Sequence, residues 1–314
     1  MPHKLLRMHR TQRAAAPGRR PVMLAIAGDS AAGKTTLTSG LLRALGPERC
    51  TAVRVDDYHR YDREERRGLP FTAVHPDCNY VDIIEQHLQL LATGQPVLKP
   101  VYDHGTGMLT RPEYTEPREF VIVEGLLPLH TRLTAACFDV TVYLNPPESI
   151  RQEWKVRRDT AQRGYTREQV LAELERREAE SEAFIRPQRR LADIVVRFAP
   201  VEQRHDPPGT PLSAELLLRP TIRHPDLAGV LAESGRPMHL KLTRDEEGRP
   251  VDALHIHGYV PREESHVLEK AIWAGLGADT ELPASLGELG GGQRSEPLAI
   301  TQLLLLFHLL EASR

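Results

Sequence analysis

The chain has 314 residues, 40% of them hydrophobic and 27% charged, with a formal net charge of -2. This length suits two domains, the near-neutral charge argues against a general nucleic-acid binder, and no apolar run reaches the roughly 18 residues of a membrane helix. The cysteines, Cys50, Cys78 and Cys137, are widely spaced; they make no metal-site pattern and read as reduced thiols of a cytoplasmic protein.

Residues 1–20 carry Lys4, Arg7, Arg10, Arg13, Arg19 and Arg20 and no acid. Without an apolar core this is not a secretory signal. It reads as a disordered basic tail, with an organelle transit peptide as the alternative, and it stands outside the fold. The apolar run Val22–Ala27 then predicts a strand buried on both faces. Gly28-Asp29-Ser30-Ala31-Ala32-Gly33-Lys34-Thr35-Thr36 follows, and Leu37, Leu41, Leu42 and Leu45 fall at the spacing of a buried helix face. A strand, a Gly-rich loop and a helix form the context of a P-loop. Backbone N–H groups of such a loop cradle phosphates, the glycines permit close approach, Lys34 reaches the β- and γ-phosphates, and the Thr35 hydroxyl is suited to Mg²⁺. The motif predicts a nucleoside triphosphate and leaves kinase, GTPase, transporter ATPase and motor open.

A second strand, Thr51–Val55, delivers Asp56-Asp57-Tyr58-His59-Arg60-Tyr61-Asp62-Arg63 to the sheet edge where ligands bind in open α/β sheets. Residues 64–80 read as a long active-site loop, Val81–Leu91 as a helix ended by Gly94, and Lys99–Gly107 as a short strand and turn with Tyr102 and His104 on one face. Phe120–Val123 followed by Glu124 has the Walker B pattern of an apolar strand ending in a metal-orienting acid. Asp139–Leu144 is a further strand. Arg151–Arg163 and Thr166–Phe184 read as two charged helices joined at Gly164, with Lys155, Arg158 and Asp159 on one face and Arg163 one turn on. They form either a lid over phosphates or an ordinary solvated pair. Leu191–Phe198 returns to the sheet. The alternation predicts an α/β fold with a mostly parallel sheet flanked by helices over residues 21–199.

Past residue 199 prolines cluster. His239–Thr243 and Ala253–Val260 read as strands around a turn at 246–250, and helices follow near 263–275 and 296–312. Residues 200–314 are expected to be a small α+β domain, suited to homo-oligomerisation, a dimer first. His255 and His257 share a strand face but lack a Cys or acid to complete a metal set. Leu289-Gly290-Gly291-Gly292-Gln293 reads as a Gly loop.

No guanine-reading Asn-Lys pair with a following Asp is present, which turns the reading from GTPase to small-molecule kinase. Residues 21–198 resemble the phosphoribulokinase/uridine kinase group of P-loop kinases, and within it are more similar to the phosphoribulokinases. Four local patterns carry the resemblance. They are Asp56, Tyr58, His59, Arg60 and Arg63 after the second strand; Pro100, Tyr102 and His104 followed by Thr106-Gly107 and Pro112-Glu113; Glu124-Gly125-Leu126; and Glu153-Trp154-Lys155, Arg158-Asp159 and Arg163-Gly164-Tyr165.

The resemblance implies phosphorylation of ribulose 5-phosphate at its C1 hydroxyl by ATP with Mg²⁺. In that light Asp56 is the general base, and Lys34 and Arg158 stabilise the moving phosphoryl group. Thr35 and Glu124 hold the metal with Asp159 assisting, and His59, Arg63, Tyr102, His104 and Arg163 bind the sugar phosphate. Uridine, another pentose phosphate, or a catalytically inactive nucleotide-binding role are the alternatives. Plant-type relatives carry regulatory cysteines where this chain has Ala32 and Arg54, so that thiol switch is not available here.

Overall fold

The structure, a computed structural model, describes residues 20–201, 211–227, 229, 231, 238–275, 281–290 and 292–314. Most of the expected basic tail lies outside the described residues; Arg20, at its end, pairs with Asp139.

An eight-stranded sheet organises the chain. Its strands are β1 (Val22–Gly28), β2 (Cys50–Arg54), β5 (Phe120–Gly125), β6 (Val140–Leu144), β7 (Ile194–Ala199), β8 (Ser213–Leu218), β9 (Met238–Arg244) and β10 (Pro250–Ile256), in the order β2-β5-β1-β6-β7-β8-β10-β9. The first five are parallel. All seven residues of β1 and all six of β5 are buried, which is why both read as unbroken apolar runs rather than alternations. The intervening β3 (Val97–Asp103) and β4 (Met108–Thr115) form a separate antiparallel hairpin. Only its first strand was expected, because β4 is almost wholly exposed and carries no apolar alternation.

Helix α1 (Lys34–Leu45) packs one face of the sheet and α2 (Val81–Ala92) the other. Short α3 (Arg132–Ala135) follows β5. Helices α4 (Glu148–Gln162) and α5 (Arg167–Glu180) form the charged pair, and α5 opens on the expected Thr166 cap, with Gln169 returning the hydrogen bond. A π-turn, Ser181–Ile185, ends α5.

Residues beyond 200 extend the same sheet. β8 runs antiparallel to β7, with Ile194 opposite Leu218 and Ala199 opposite Ser213. Helices α6 (Arg262–Gly275) and α7 (Glu296–Ala312) follow. The apolar run in α7 is buried nearly all round, in one core with α1 and β1. Gly40 of α1 allows this approach, since a Cβ there would stand 1.9 Å from Gln302 Nε2. His239 stacks on His255 at 4.6 Å between ring centroids, yet no group of three or more His, Cys, Asp or Glu among the described residues could hold a metal ion. Residue 291 of the expected Gly loop lies outside the described residues; its flanks form a two-strand hairpin, β11 (Glu288–Gly290) and β12 (Gln293–Arg294). No described helix is long and apolar enough to cross a membrane.

Candidate active site

The carboxyl ends of β1, β2, β5 and β6 converge on one edge, and the candidate residues gather there. Gly33 is the N-cap of α1 at φ 97°, and no side chain caps it. The first N–H groups of the helix therefore remain free for an anion. Gly28 sits where a Cβ would meet Leu144 O at 2.8 Å, so the loop leaves β1 tight against β6. Ala31 takes φ 64°, a left-handed conformation costly for a residue with a Cβ. Lys34 Nζ donates to Gly28 O and Asp29 O, each at 2.8 Å. Burial pulls its ammonium below the usual lysine range, against the attraction of Asp56, Glu124 and Asp29.

Thr35 Oγ1 lies 3.3 Å from Glu124 Oε1, and Thr38 Oγ1 lies 3.5 Å from the other oxygen. Burial raises the Glu124 carboxyl above its ordinary value, and Asp56 adds to this while Lys34 and Arg54 oppose it. A divalent cation here would offset that cost. One hydroxyl and one carboxylate, both hard oxygen donors, fit Mg²⁺, which takes few protein ligands and completes its shell with phosphates and water.

The two acids after β2 have different surroundings. Asp57 is tied down, with Oδ2 2.5 Å from Lys99 Nζ on β3 and Oδ1 3.4 Å from Tyr102 N. Asp56 accepts one backbone bond, from Leu126 N to Oδ1 at 3.0 Å. Gly125 makes that possible, because a Cβ there would stand 2.7 Å from Val55 Cβ and 3.0 Å from Asp56 Oδ1. The Asp56 charge acts on Lys34 and Glu124 on the phosphate side and on His59 and His104 on the other.

His59 Nδ1 bonds Asn79 Oδ1 at 2.8 Å. Burial, then Arg66, lower its imidazole to about 4, so the ring is neutral near pH 7. Its ring meets Tyr102 edge-on at 4.8 Å, and Tyr102 meets His104 at 5.1 Å. Arg63 donates to His104 O at 2.6 Å and Gly105 O at 3.4 Å, which fixes it against the β3–β4 turn. Arg66 donates to the Tyr102 hydroxyl at 2.6 Å and lies over that ring. Arg66, Asn79 and Lys99 were not among the expected site residues. Arg66 stands in a run of charges, and the other two are brought in by pairings far along the chain.

Helix α4 brings Asp159 over the same edge, 3% exposed. Lys155 Nζ and Arg158 Nε donate to it at 2.7 and 2.8 Å, and Arg163 Nη1 lies at 3.5 Å. Burial opposes ionisation of Asp159, but the bonds from Arg158 and Lys155 outweigh it and hold the carboxyl at about 2. Burial, then Arg158, disfavour the Arg163 charge, with Asp159 opposing and Arg63 adding to the repulsion. Two guanidinium groups and one ammonium around one carboxylate leave an excess of positive charge. Arg158 Nη2 is buried and has no hydrogen-bond partner among the described residues. A buried orphan donor of this kind suits an anion such as a phosphoryl group. His104 feels both Asp56 and Arg163, so α4 and the β3–β4 turn face one another across the site.

On the other flank of the P-loop a cavity of about 490 Å³ opens, lined by Asp29, Asn145, Pro146, Arg151, Arg186 and Glu215 among others. Its size suits a small-molecule group. The three cysteines are free thiols, and burial pushes Cys50 up to about 12, which removes it from thiol chemistry.

A model of the phosphoribulokinase / uridine kinase family matches residues 23–204. The chain belongs to this family. It is 35% identical to a phosphoribulokinase of Synechocystis sp. over 228 residues, 71% of this chain and 69% of that one. With the chloroplastic phosphoribulokinase of Triticum aestivum the identity is 29%, over 65% of this chain and 55% of the relative, so the match spans little more than half of that protein. A uridine kinase of Chloroflexus aurantiacus is 30% identical over 56% of this chain and 86% of its own length. The fold is that of a solved phosphoribulokinase from Rhodobacter spheroides, with a TM-score of 0.58 at 17% identity, covering 82% of this chain and 96% of that one.

Proposed function

We propose that the chain transfers the γ-phosphoryl group of ATP to the C1 hydroxyl of ribulose 5-phosphate, giving ribulose 1,5-bisphosphate and ADP. The observation that carries this reading is the position of Asp56, between Lys34 and Glu124 on the phosphate side and His59 and His104 on the other. A carboxylate there accepts the hydroxyl proton as the C1 oxygen bonds to phosphorus and the bond to the ADP oxygen breaks. Its single backbone tie to Leu126 leaves the second oxygen for that work. Lys34 and the unpartnered Arg158 Nη2 offset charge on the moving group. Thr35 and Glu124 hold Mg²⁺, with Asp159 steadying the cations around it. The metal, when bound, neutralises charge on the β- and γ-phosphates.

Arg63, Arg163, His104, His59 and Tyr102 form the acceptor side. The excess of guanidinium charge suits the 5-phosphate dianion better than a neutral nucleoside. The cavity beside Asp29 takes the nucleoside part of ATP. The protein is read as cytoplasmic and as a homo-oligomer, a dimer.

The similarity to a uridine kinase favours a second reading, uridine as acceptor. ADP release measured with ribulose 5-phosphate, ribose 5-phosphate, uridine and cytidine separates the two. Turnover with ribulose 5-phosphate supports the first reading, and turnover with a nucleoside alone overturns it.

A further inference from the structure

Two consecutive residues at the end of α5 grip both halves of the site. Glu180 accepts from Thr72 N at 2.9 Å through Oε1 and 3.1 Å through Oε2, and also from the Thr72 hydroxyl. Ser181, 1% exposed, donates its hydroxyl to Asp29 Oδ2. Thr72 belongs to the loop that follows Arg63 and Arg66, and the adjoining Phe71 stacks on His75 at 5.1 Å. Asp29 belongs to the P-loop. Its Oδ1 accepts from Ser30 N at 2.6 Å and lies 3.5 Å from Arg151 Nη1, which also donates to Ser30 O at 3.1 Å. Arg151 stands on α4 and Ser181 at the end of α5, so both helices of the charged pair are pinned on one P-loop carboxylate, two residues before the left-handed Ala31. Ser181 is also the first residue of the π-turn, a rare geometry that is frequent at functional sites. Among the described residues no hydrogen bond joins residues 64–80 to the P-loop directly, and the Glu180–Ser181 step is the polar link between them.

We propose that Glu180 and Ser181 are positioning residues that couple the two substrates. An acceptor that fixes the loop through Thr72 fixes Glu180, and the adjoining peptide sets the Ser181 hydroxyl on Asp29. The P-loop is thereby held in its phosphate-binding form. Such coupling is reciprocal, so donor nucleotide tightens acceptor binding by the same factor. The inference rests on the two-substrate reading given above.

The test is the dissociation constant of MgADP, measured by calorimetry alone and with saturating acceptor, in the wild type and in Glu180→Ala and Ser181→Ala. The acceptor is whichever of ribulose 5-phosphate and uridine the protein turns over, so turnover judges the acceptor and the ratio of the two constants judges the coupling. The ratio is expected to be about fivefold or more in the wild type and to fall within about twofold of unity in both variants. A merely structural staple would lower the unfolding midpoint or the binary affinity and leave the ratio unchanged. A wild-type ratio near unity, or a ratio retained in either variant, overturns the proposal, and a protein that binds neither acceptor contradicts both readings.

Discussion

Lys99 Nζ stands 2.5 Å from Asp57 Oδ2, and both side chains are buried. This pair separates two neighbouring acids, because it commits Asp57 to the β3 hairpin and leaves Asp56 at the site. Removing one member strands the other charge in a poorly solvated place, which costs about 3–5 kcal/mol. Lys99→Met is expected to lose stability on that scale in urea unfolding, and Asp57→Asn added to it should recover part. Unfolding midpoints within error of the wild type would contradict the pairing.

Gly125 sets the position of Asp56 by steric clearance, at a φ of 157° that a residue with a Cβ rarely adopts. With a Cβ 3.0 Å from Asp56 Oδ1 and 2.7 Å from Val55 Cβ, Gly125→Ala should displace the carboxylate while sparing the P-loop. A displacement near 1 Å costs on the order of 10²-fold in rate. The expected outcome is a kcat reduced at least tenfold with MgADP affinity nearly unchanged, read by steady-state kinetics and calorimetry.

Much of this site was legible because its parts are short and local. The P-loop, the acids after β2 and the Arg158–Arg163 stretch each lie within one or two turns of chain, so residue type and spacing suffice. The Asp57–Lys99 pair depends on how the β3 hairpin docks, and the Asp29–Ser181 contact joins residues 152 apart in sequence. Neither leaves a local pattern. β8 was missed for another reason. It follows a proline cluster, and its apolar residues Ala214, Leu216 and Leu218 find their partners in β7 and β10. Arg66 was hidden among the charges of residues 63–67, and its bond to Tyr102 and its place over that ring distinguish it.

His59 gives a pH signature. Its imidazole sits at about 4 in the folded protein against an ordinary value near 6.5. The unfolded chain therefore binds the extra proton first as pH falls. The stabilisation is complete above about 6.5, is lost progressively toward 4, and is absent below. Its full size is roughly 3 kcal/mol. In His59→Asn the drop in unfolding free energy from pH 7 to pH 4 should be smaller by that order, and the wild-type ring resonance should titrate near 4 by NMR. A ring that titrates near 6.5 would contradict the buried neutral state.

Arg163 lies 3.5 Å from Asp159 and under the repulsion of Arg158 and Arg63, so it gains most from an added anion. Losing a charge-assisted bond of about 1.5–3 kcal/mol raises KM about tenfold or more. Arg163→Ala is expected to do so for ribulose 5-phosphate while KM for ATP changes much less. Equal changes for both substrates would remove Arg163 from the acceptor side.

The central claim is that Asp56 takes the proton from an acceptor hydroxyl. It is tested most directly by the rate of ADP release with saturating ribulose 5-phosphate in Asp56→Asn, alongside calorimetry of MgADP binding. The account predicts a kcat lower by about 10²-fold or more with nucleotide affinity nearly intact. Turnover comparable to the wild type would contradict it.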